Sequence, residues 1–304
     1  MWGSDANNVW AVGSGGTILK WNGSSWSPQS SGSTQYLFGV WGSDANNVWI
    51  VGYSGTILKW NGTSWSSQSS GSTQHLYGVW GSDANNAWAV GYNGTILKWN
   101  GSSWSSQSSG STQHLHGVWG SDANNVWAVG ANGTILKWNG SSWSPQSSDT
   151  VEPIVGMWGT DGNNVWAVGR DGTILKWNGS SWSRQASDRN KRLRSAWGID
   201  ATNVWAVEGE IIGPFGGRLL KWNGSSWSSQ FPDSAQEINR VWGSDANNVW
   251  AVGDNGTILK WNGSSWSLQS SGSTQSLYGV WGSDANNVWA VGDVGTILRW
   301  RNGP

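Results

Sequence analysis

The sequence contains no cysteine, only two methionines and three phenylalanines in 304 residues, and only 12% charged residues. Without cysteine, neither disulfides nor thiolate metal sites can form. The cysteine content therefore does not distinguish an oxidising from a reducing compartment. No run of 18 apolar residues is present, so we expect no transmembrane helix. The formal net charge of -1 argues against nucleic acid or an anionic membrane surface as the main partner.

Aliphatic core residues are also scarce. Leucine, isoleucine, valine and phenylalanine together make 54 of 304 residues, which is below the share that usually accompanies a folded core. Disorder would require a large net charge and few aromatic residues, whereas this chain has 31 tryptophans. Because each tryptophan buries a large apolar area, we expect tryptophan to replace leucine as the main core residue.

A repeat of 39 residues runs through the whole chain. Each copy carries a Trp-Gly pair, and the copies begin at Trp2, Trp41, Trp80, Trp119, Trp158, Trp197, Trp242 and Trp281. One interval is 45 residues long. Periods of about 40–45 residues without helical patterning are typical of β-propeller blades. Four apolar runs, YLFGVWG, NVWAVG, TILKWNG and SWSPQSS, predict strands A, B, C and D of each blade.

The turns between these strands have a chemistry of their own. The A–B turn SDANN offers Asp and Asn side chains that hydrogen-bond nearby backbone amides. The C–D turn NG predicts a hairpin in which both residues accept positive φ. The same turn requirement explains the match of NGS and NGT to N-glycosylation acceptors at Asn22 and Asn61. A single carboxylate per A–B turn, such as Asp44, argues against calcium binding.

All 31 tryptophans fall at four positions of the repeat, represented by Trp41, Trp49, Trp60 and Trp65. Neighbouring blades cover both faces of each sheet and need large apolar side chains, so we interpret the tryptophans as blade core. The alternative interpretation is a set of sugar-stacking platforms. One tryptophan in every strand suits packing better, because a binding site rarely needs so many.

The pattern predicts one all-β domain over residues 1–304, a β-propeller of four-stranded blades whose first and last repeats are incomplete. If one more D strand and A strand precede residue 1, an outer strand completes the last blade and the propeller has eight blades; seven is the alternative. The start MWGSDANN is typical of a repeat entered midway and not of a signal peptide. We therefore expect a piece of a longer protein, and incomplete terminal blades that permit self-association.

The pattern VWG…NVWAVG…GTILKWNGSSW resembles the recently amplified β-propeller repeats of bacteria and is similar to WD-repeat-like propellers in general. The resemblance covers the entire chain. The segment KWNGSSW also resembles the Asp-box turn of sialidase-like propellers, although tryptophans such as Trp21 and Trp60 stand at the aspartate of that box. The resemblance implies a ring-shaped scaffold, often secreted or displayed on the cell surface, that binds a partner. Fold alone does not determine function.

Differences between the repeats concentrate at one end of the predicted strands. Antiparallel strands place the A–B and C–D turns at one edge of a blade, and the B–C turns and D–A linkers at the other. The first edge is nearly uniform, whereas the second contains the variable linkers SDRNKR and PDSAQE and the insertion in GEIIGPFGG. Loops on a rigid frame commonly bind ligands, although drift at exposed positions would also produce this variation.

Candidate ligand-binding residues lie near the start of strand A, on either side of a Leu or Ile that recurs in every repeat. Because successive side chains of a strand point to opposite faces of the sheet, these neighbours lie on the face opposite that Leu or Ile. We expect them at the mouth of the central channel of a propeller. The aromatic candidates for stacking are Tyr36, Phe38, Tyr77 and Tyr278. Histidines occupy equivalent positions at His75, His114 and His116. The candidates for charge pairing are Arg192, Arg194 and Arg240. Arg218, in the lengthened B–C turn, is a further candidate ligand-binding residue.

The residue sets that enzymes need are not evident. Sugar hydrolysis requires two carboxylates about 5–10 Å apart, and acids outside the A–B turns cluster only at 149–152, 208–210 and 233–237. The three histidines suit zinc, nickel or copper, but the variety of side chains at equivalent positions favours recognition instead. No glycine-rich strand-to-helix segment supports nucleotide binding. We therefore expect no enzyme activity, no metal and no cofactor.

Three functional hypotheses follow. The main one is a non-enzymatic scaffold that binds a protein or glycan partner through its D–A and B–C loops at a single site. The second is a multivalent glycan-binding lectin with equivalent sites between blades. The third is a recently amplified repeat protein with no evolved ligand. The compartment is not determined by these residues, and an extracellular or cell-surface location is implied only by the resemblance.

Overall fold

Short antiparallel sheets follow one another along the whole described chain. The computed structural model describes residues 1–187, 191–209, 217–230 and 236–300. The chain divides into two compact units, Met1–Ile154 and Val155–Pro304. Each unit contains four sheets, and the strands of each sheet lie side by side in chain order. None of the helical turns in the described part of the chain is long and apolar enough to cross a membrane.

The first unit holds sheets one to four, and the strands of each sheet are A to D in chain order. The first sheet has β1 (Trp2–Asp5), β2 (Asn8–Val12), β3 (Ile18–Trp21) and β4 (Trp26–Gln29). The second has β5 (Leu37–Asp44), β6 (Asn47–Gly52), β7 (Ile57–Trp60) and β8 (Trp65–Ser67). The third has β9 (Leu76–Asp83), β10 (Asn86–Gly91), β11 (Ile96–Trp99) and β12 (Trp104–Gln107). The fourth has β13 (Leu115–Asp122), β14 (Asn125–Gly130), β15 (Ile135–Trp138) and β16 (Trp143–Gln146).

The second unit holds sheets five to eight. The fifth sheet has β17 (Ile154–Asp161), β18 (Asn164–Gly169), β19 (Ile174–Trp177) and β20 (Trp182–Arg184). The sixth has β21 (Leu193–Asp200), β22 (Asn203–Glu208), β23 (Arg218–Trp222) and β24 (Trp227–Gln230). The seventh has β25 (Ile238–Asp245), β26 (Asn248–Gly253), β27 (Ile258–Trp261) and β28 (Trp266–Gln269). The eighth has β29 (Leu277–Asp284), β30 (Asn287–Gly292) and β31 (Ile297–Trp300).

The predicted all-β fold is confirmed: the chain is an eight-bladed β-propeller, and the seven-bladed alternative is wrong. Seven sheets have four strands and the eighth has three among the residues described. The first sheet keeps a shortened strand A, because Trp2 pairs with Trp10 and Gly3 with Val9. The first blade therefore starts with a partial inner strand.

Side chains organise the A–B and C–D turns. Asp44 Oδ1 accepts hydrogen bonds from the N–H groups of Asn46 and Asn47 at 2.8 and 3.0 Å, as expected for an Asx turn. In the C–D turn, Asn61 Oδ1 accepts from Ser64 N–H at 2.9 Å. Only Gly62 of the NG pair has positive φ, at 98°. The predicted C–D hairpin is confirmed. Asn61 does not use the positive φ that it could accept, because four residues separate Trp60 from Trp65 and the asparagine side chain caps the turn.

The B–C turns are single turns of 3₁₀ helix in which a left-handed residue precedes glycine. In the second sheet, Ser54 has φ 52° and Gly55 has φ 72°, and Thr56 N–H donates to Tyr53 C=O at 3.0 Å. Left-handed backbone explains why Asn and Gly recur in these turns. Among the described residues, such turns are Ser14–Gly16, Tyr53–Gly55, Tyr92–Gly94, Ala131–Gly133, Asp254–Gly256 and Asp293–Gly295. The 170–172 turn shares the geometry, with φ 50° at Asp171, φ 61° at Gly172 and a hydrogen bond of 3.0 Å from Thr173 N–H to Arg170 C=O.

Tryptophan forms the core between the sheets, as predicted. The indoles of strand B are almost completely inaccessible to solvent, at Trp10, Trp49, Trp88, Trp127, Trp166, Trp205, Trp250 and Trp289. They pack with Val, Ile, Leu and Ala from two successive sheets. In one such cluster, Trp49 and Val51 of the second sheet contact Leu76, Ala89 and Trp99 of the third. The apolar area that tryptophan removes from water compensates for the shortage of aliphatic residues.

The Trp-Gly pair joins each sheet to the next. The ring of Trp41 lies so close to Gly81 that a Cβ added there would sit 2.5 Å from Trp41 Cζ3. Glycine is therefore required because the indole of the preceding sheet occupies the side-chain position. The other pairs of this type within the units are Trp2 with Gly42, Trp80 with Gly120, Trp158 with Gly198, Trp197 with Gly243 and Trp242 with Gly282.

A lysine in strand C also connects successive sheets, a contact that the sequence pattern does not predict. Lys59 Nζ lies 5.3 Å from the ring centre of Trp49 in its own sheet and 5.0 Å from that of Trp99 in the next. This geometry is a double cation–π contact. Lys20, Lys98, Lys176, Lys221 and Lys260 make the same pair of contacts. Burial lowers the pKa of the Lys20 and Lys221 ammonium groups. At Lys20 the negative charge of Asp5 raises the pKa and offsets part of this decrease.

We predict that Gly81→Ala lowers the free energy of unfolding by about 1–3 kcal/mol, because the new methyl group overpacks against Trp41 and the Asn86 carbonyl. The matched control is Gly13→Ala, since Gly13 has φ -165° and no atom lies within 4 Å of the position that a Cβ would take there. Urea unfolding of both variants checks this prediction. Equal stability of the two variants would contradict it.

Acid should destabilise the fold through the A–B turns. Partial burial raises the pKa of each turn aspartate, but hydrogen bonds from turn N–H, hydroxyl and amide groups lower it by more. The net pKa is therefore lowered at Asp5, Asp44, Asp83, Asp122, Asp161, Asp200, Asp245 and Asp284. The unfolded state then binds more protons than the native state, so this stability is complete above about pH 4–5 and is lost as the pH falls through the lowered values.

Unfolding by urea at a series of pH values from 6 to 2.5 measures this loss. A variant carrying Asp44→Asn, Asp83→Asn and Asp122→Asn should show a shallower decrease, since asparagine forms the same turn without a titrating carboxylate. An equally steep decrease in the variant would assign the acid sensitivity to other groups.

Candidate partner-binding surface

The B–C turns and D–A linkers of the first unit are hydrogen-bonded to each other. Tyr53 N–H donates to Tyr36 C=O at 2.9 Å, and Tyr92 N–H donates to His75 C=O at 2.8 Å. The linker also bonds to the preceding sheet, where Gly16 N–H donates to Gln35 C=O at 2.8 Å. The residues that vary between repeats are thus held together by recurring backbone contacts.

A β-bulge presents the first residues of strand A. In the second sheet, Leu37 pairs with Gly52 and Gly39 with Val51, so Phe38 is the extra residue. Bulges change the direction in which a side chain points. Leu37 is buried, whereas Tyr36 is 55% exposed and Phe38 is 42% exposed. The predicted division between a fixed buried aliphatic residue and exposed variable neighbours therefore holds at this position.

Eight aromatic side chains form a continuous cluster in the first unit, which we call the aromatic surface. Its members are Tyr36, Phe38, Tyr53, His75, Tyr77, Tyr92, His114 and His116. Six of these are site residues predicted from the sequence. Tyr53 and Tyr92 are recognisable in the sequence as variable turn residues but not as site residues. The structure adds them because their rings bridge successive sheets.

Ring contacts run unbroken through the aromatic surface. The Tyr53 ring centre lies 5.4 Å from Tyr36, 5.0 Å from Phe38 and 4.1 Å from His75. Farther along, Tyr92 stacks on His114 at 3.9 Å with an interplanar angle of 23°. These separations are typical of favourable aromatic pairs, which restrict the rings before any partner binds.

Two histidines of the aromatic surface are oriented by the backbone. His75 Nδ1 accepts from Ser54 N–H at 3.0 Å, and His114 Nδ1 accepts from Asn93 N–H at 3.2 Å. A neutral imidazole that accepts at Nδ1 carries its hydrogen on Nε2. Each ring therefore offers an Nε2–H donor. No group of three His, Cys, Asp or Glu side chains able to hold a metal occurs within the described ranges.

Tyr77 belongs to the aromatic surface through ring contacts with Phe38 at 5.6 Å and His116 at 6.1 Å. Burial raises the pKa of its hydroxyl, and the nearby Tyr53 and Tyr92 raise that pKa further. Tyr77 consequently remains neutral at physiological pH. The aromatic surface as a whole combines apolar ring faces with neutral hydrogen-bond donors.

The second unit contains a polar network at the equivalent positions. Arg194 Nη2 forms an ion pair with Glu237 Oε2 at 2.6 Å, and Arg194 Nη1 donates to the Asn239 side-chain carbonyl. Asn239 is buried, and its Nδ2 donates to Asp254 Oδ1 and to Leu277 C=O, both at 3.0 Å. Arg194 is thus held by neighbouring side chains of its own unit.

The remaining predicted residues of this unit occupy different environments. Arg192 is half-buried and its carbonyl accepts from Gly209 N–H at 2.8 Å. Arg218 of strand β23 lies opposite Glu208 of strand β22 in the antiparallel register. Tyr278 is 51% exposed, and its hydroxyl donates to Asp293 Oδ2 at 3.0 Å. That hydrogen bond, followed by burial, raises the pKa of Tyr278.

Arg240 takes the strand-A position that is Gly156 in the fifth sheet, Ser195 in the sixth and Gly279 in the eighth. Its side chain is exposed to solvent, yet the surrounding protein atoms desolvate the guanidinium and lower its pKa. Arginine remains charged under such a shift. The variable segments SDRNKR, GEIIGPFGG and PDSAQE include residues 188–190, 210–216 and 231–235. These residues lie outside the described part of the chain, so their role in ligand binding stays a prediction.

We predict that Asn239→Ala lowers the free energy of unfolding by about 1–3 kcal/mol, because Arg194 and the Leu277 carbonyl each lose a hydrogen-bond partner in a buried setting. Tyr278→Phe is the control, since it removes one exposed hydrogen bond and should cost less than about 0.5 kcal/mol. Denaturant unfolding measures both changes. A loss for Asn239→Ala no greater than that of the control would show that the network is not stabilising.

Comparison of the sequence with known proteins finds no match: no protein-family profile matches the chain, and neither does any curated protein. Comparison of the structure finds many similar solved structures.

The fold is similar to that of YCF48 from Cyanidioschyzon merolae, with 21% identity, a TM-score of 0.66, and coverage of 87% of this chain and 95% of that chain. A structure of YCF48 bound to D1 peptide matches with 16% identity and a TM-score of 0.66, over 88% of this chain and 92% of that one. The C-terminal WD40 domain of Sif2 matches with 15% identity and a TM-score of 0.77, over 100% and 95%. At these identities the likeness shows the fold alone.

Proposed function

We propose that the protein is a non-enzymatic binding scaffold whose aromatic surface binds a peptide segment of a protein partner. The observation that carries this proposal is the continuous set of aromatic rings on the first unit. Soluble proteins rarely expose contiguous apolar patches unless these patches bind something. Aromatic side chains are also the residue types most enriched where binding energy concentrates.

The chemistry of the surface indicates the kind of peptide. Exposed Tyr36 and Phe38 offer ring faces to apolar or proline side chains, as aromatic-lined grooves do for extended peptides. The Nε2–H groups of His75 and His114 can donate to peptide carbonyls. Because the rings already contact one another, little conformational entropy is lost on binding. YCF48, which has a similar fold, has been seen bound to a D1 peptide, and this supports a peptide as ligand.

Charged residues of the second unit are proposed as a separate set of contacts, for a partner that carries an acidic group. Arg240 is an exposed residue whose guanidinium is desolvated by surrounding protein atoms, and Arg192 is a second candidate for an acidic group of the partner. Arg194 would contribute indirectly, because its charge is already paired with Glu237. Tyr278 is proposed as an additional stacking residue. Charge pairing of this type contributes more to selectivity and association rate than to affinity.

The near-identity of the sheets supports the further proposal that the chain arose by recent amplification of one bacterial propeller repeat. A secreted or cell-surface location belongs to the same proposal. If no ligand exists, substitutions at both edges of the sheets should be equally neutral for any measured activity.

Glycan binding is the second candidate function, because a polar groove lies beside strands C and D of the third sheet and the two linkers that flank this sheet. The groove has a volume of about 460 Å³, and its lining includes Ser72, Asn93, Gln107 and Ser111. Hydroxyl and amide groups of this kind hydrogen-bond sugar hydroxyls. A lectin of this type would bind through several grooves per chain and would tolerate loss of the aromatic surface.

Peptides selected from a displayed random library by the 304-residue chain provide the test. The variant Tyr36→Ser, Phe38→Ser, Tyr53→Ser and Tyr92→Ser should bind the selected peptides at least ~30-fold more weakly, corresponding to about 2 kcal/mol. Leu268→Ser is the matched control, because Leu268 is a 60% exposed apolar residue on strand D, and it should bind normally.

Calorimetry gives the stoichiometry, which should be one peptide per chain. Equal affinity of the quadruple variant and the control would refute the aromatic surface as the site. Binding confined to a glycan array, with several sites per chain, would instead establish the lectin function.

A further inference from the structure

Two histidines of the aromatic surface, one repeat apart, make the same hydrogen bond to a B–C turn. Ser54 N–H donates to His75 Nδ1 at 3.0 Å, and Asn93 N–H donates to His114 Nδ1 at 3.2 Å. Each donor is the left-handed residue of its turn, with φ 52° at Ser54 and 53° at Asn93. Both imidazoles are half-buried, so solvent protons can reach them.

A proton on Nδ1 is incompatible with this hydrogen bond. The neutral imidazole accepts at Nδ1, whereas both nitrogens of the imidazolium are donors. After protonation the Nδ1–H group would face the turn N–H, and the ring has to move away from the turn. Histidine is the side chain that gains this proton between about pH 8 and pH 5.

The titratable groups packed against the two imidazoles are tyrosines. His75 faces Tyr53 at 4.1 Å and Tyr92 at 6.1 Å, and His114 faces Tyr92 at 3.9 Å. Within the described ranges, no Asp, Glu, Lys or Arg side chain hydrogen-bonds or pairs with either histidine. Tyrosine faces attract a cation, but they do not replace the acceptor that the turn N–H loses.

The fourth sheet shows that a B–C turn keeps its conformation without this bond. Its turn Ala131–Gly133 has the same form, with φ 51° at Asn132. The residue at the histidine position there is Pro153, which has no acceptor side chain. In the linker before the second sheet the same position is Tyr36, which lacks a ring nitrogen and is 55% exposed. Loss of the bond should therefore release the imidazole toward solvent and leave the turn folded.

We infer that His75 and His114 make peptide binding at the aromatic surface depend on pH. With both imidazoles neutral, the turns hold the two rings in the continuous surface and fix the place of each Nε2–H donor. Protonation frees the rings and puts positive charge among apolar side chains, so the surface releases its peptide as the pH falls from 7.5 to 5.5. By linkage, a bound peptide favours the neutral imidazoles. This inference rests on the proposed function and adds its regulation.

The probe is a labelled peptide selected from the displayed library, with blocked ends and without His, Asp or Glu. Fluorescence anisotropy with the 304-residue chain should show at least ~10-fold weaker binding at pH 5.5 than at pH 7.5, because two oriented donors are lost. The stability that the turn aspartates supply is complete above about pH 4–5, so the fold persists in this range. Equal affinity at the two pH values would overturn the inference.

Two double variants carry residues that do not titrate in this range. His75→Tyr with His114→Tyr keeps an aromatic ring, as Tyr36 does at the equivalent position. His75→Gln with His114→Gln keeps one acceptor and one donor at each position. Each variant should bind equally at pH 7.5 and pH 5.5, whatever its affinity at pH 7.5. An acid loss as large as that of the wild-type chain would assign the pH dependence to other groups and refute the role of the histidines.

Calorimetry at pH 6 in two buffers of different ionisation enthalpy gives the sign of the coupling. Peptide binding should release protons, because the bound state favours the neutral imidazoles. The release should fall to zero in both double variants. Proton uptake by the wild-type chain would contradict the inference.

Measurements on the free chain separate this inference from the proposed function. In ¹⁵N NMR spectra between pH 8 and pH 5, the backbone amide signals of Ser54 and Asn93 should shift as the imidazoles are protonated. The amide of Asn132 is the matched control and should not shift, because its turn faces Pro153. Unresponsive Ser54 and Asn93 amides would overturn the inference whether or not a peptide binds. A response of both amides, without any peptide selected by the chain, would refute the proposed function and not the histidine contact.

Discussion

The contact between the tryptophan of one sheet and the glycine of the next is the constraint on which the rest of the structure depends. Trp41 covers Gly81 so closely that no Cβ fits between them. The same contact recurs in both units, and it fixes the distance between successive inner strands. The strand-B indoles and the strand-C lysines then fill the remaining space between sheets. A protein poor in aliphatic residues can form a core in this way because each indole combines a large apolar area with a defined ring geometry.

This rigid frame separates two kinds of surface chemistry. At the A–B and C–D edge, Asp44 and Asn61 satisfy local backbone N–H groups, so the side chains are engaged by their own turns. At the opposite edge, the turn needs only a left-handed residue followed by glycine. Side chains such as Tyr53 and His75 can then vary without loss of the turn. Variation between repeats is consistent with this difference, and the aromatic surface lies on the permissive edge.

Particular residues show which features of the fold and of the candidate site could be predicted from the sequence. The spacing of Trp-Gly pairs predicted eight four-stranded blades, and the fixed Leu37 with its variable neighbours predicted exposed Tyr36 and Phe38. Sequence patterns missed Tyr53 and Tyr92 as site members, because their contacts join residues of successive repeats that no pattern within one repeat reveals. They also suggested that Arg194 is available for a partner. Glu237 and Asn239, about 45 positions away along the chain, hold that guanidinium.

The sequence by itself determined the strand count, the turns and the identity of the core residue, because these depend on local periodicity and on backbone conformations that only certain residues adopt. Tertiary structure alone decided which side chains meet across successive sheets. It joined eight rings into one surface and placed strand-C lysines such as Lys59 between two indoles. Those outcomes depend on neighbours one repeat away, and the distance between repeats is set by packing and not by any local signal.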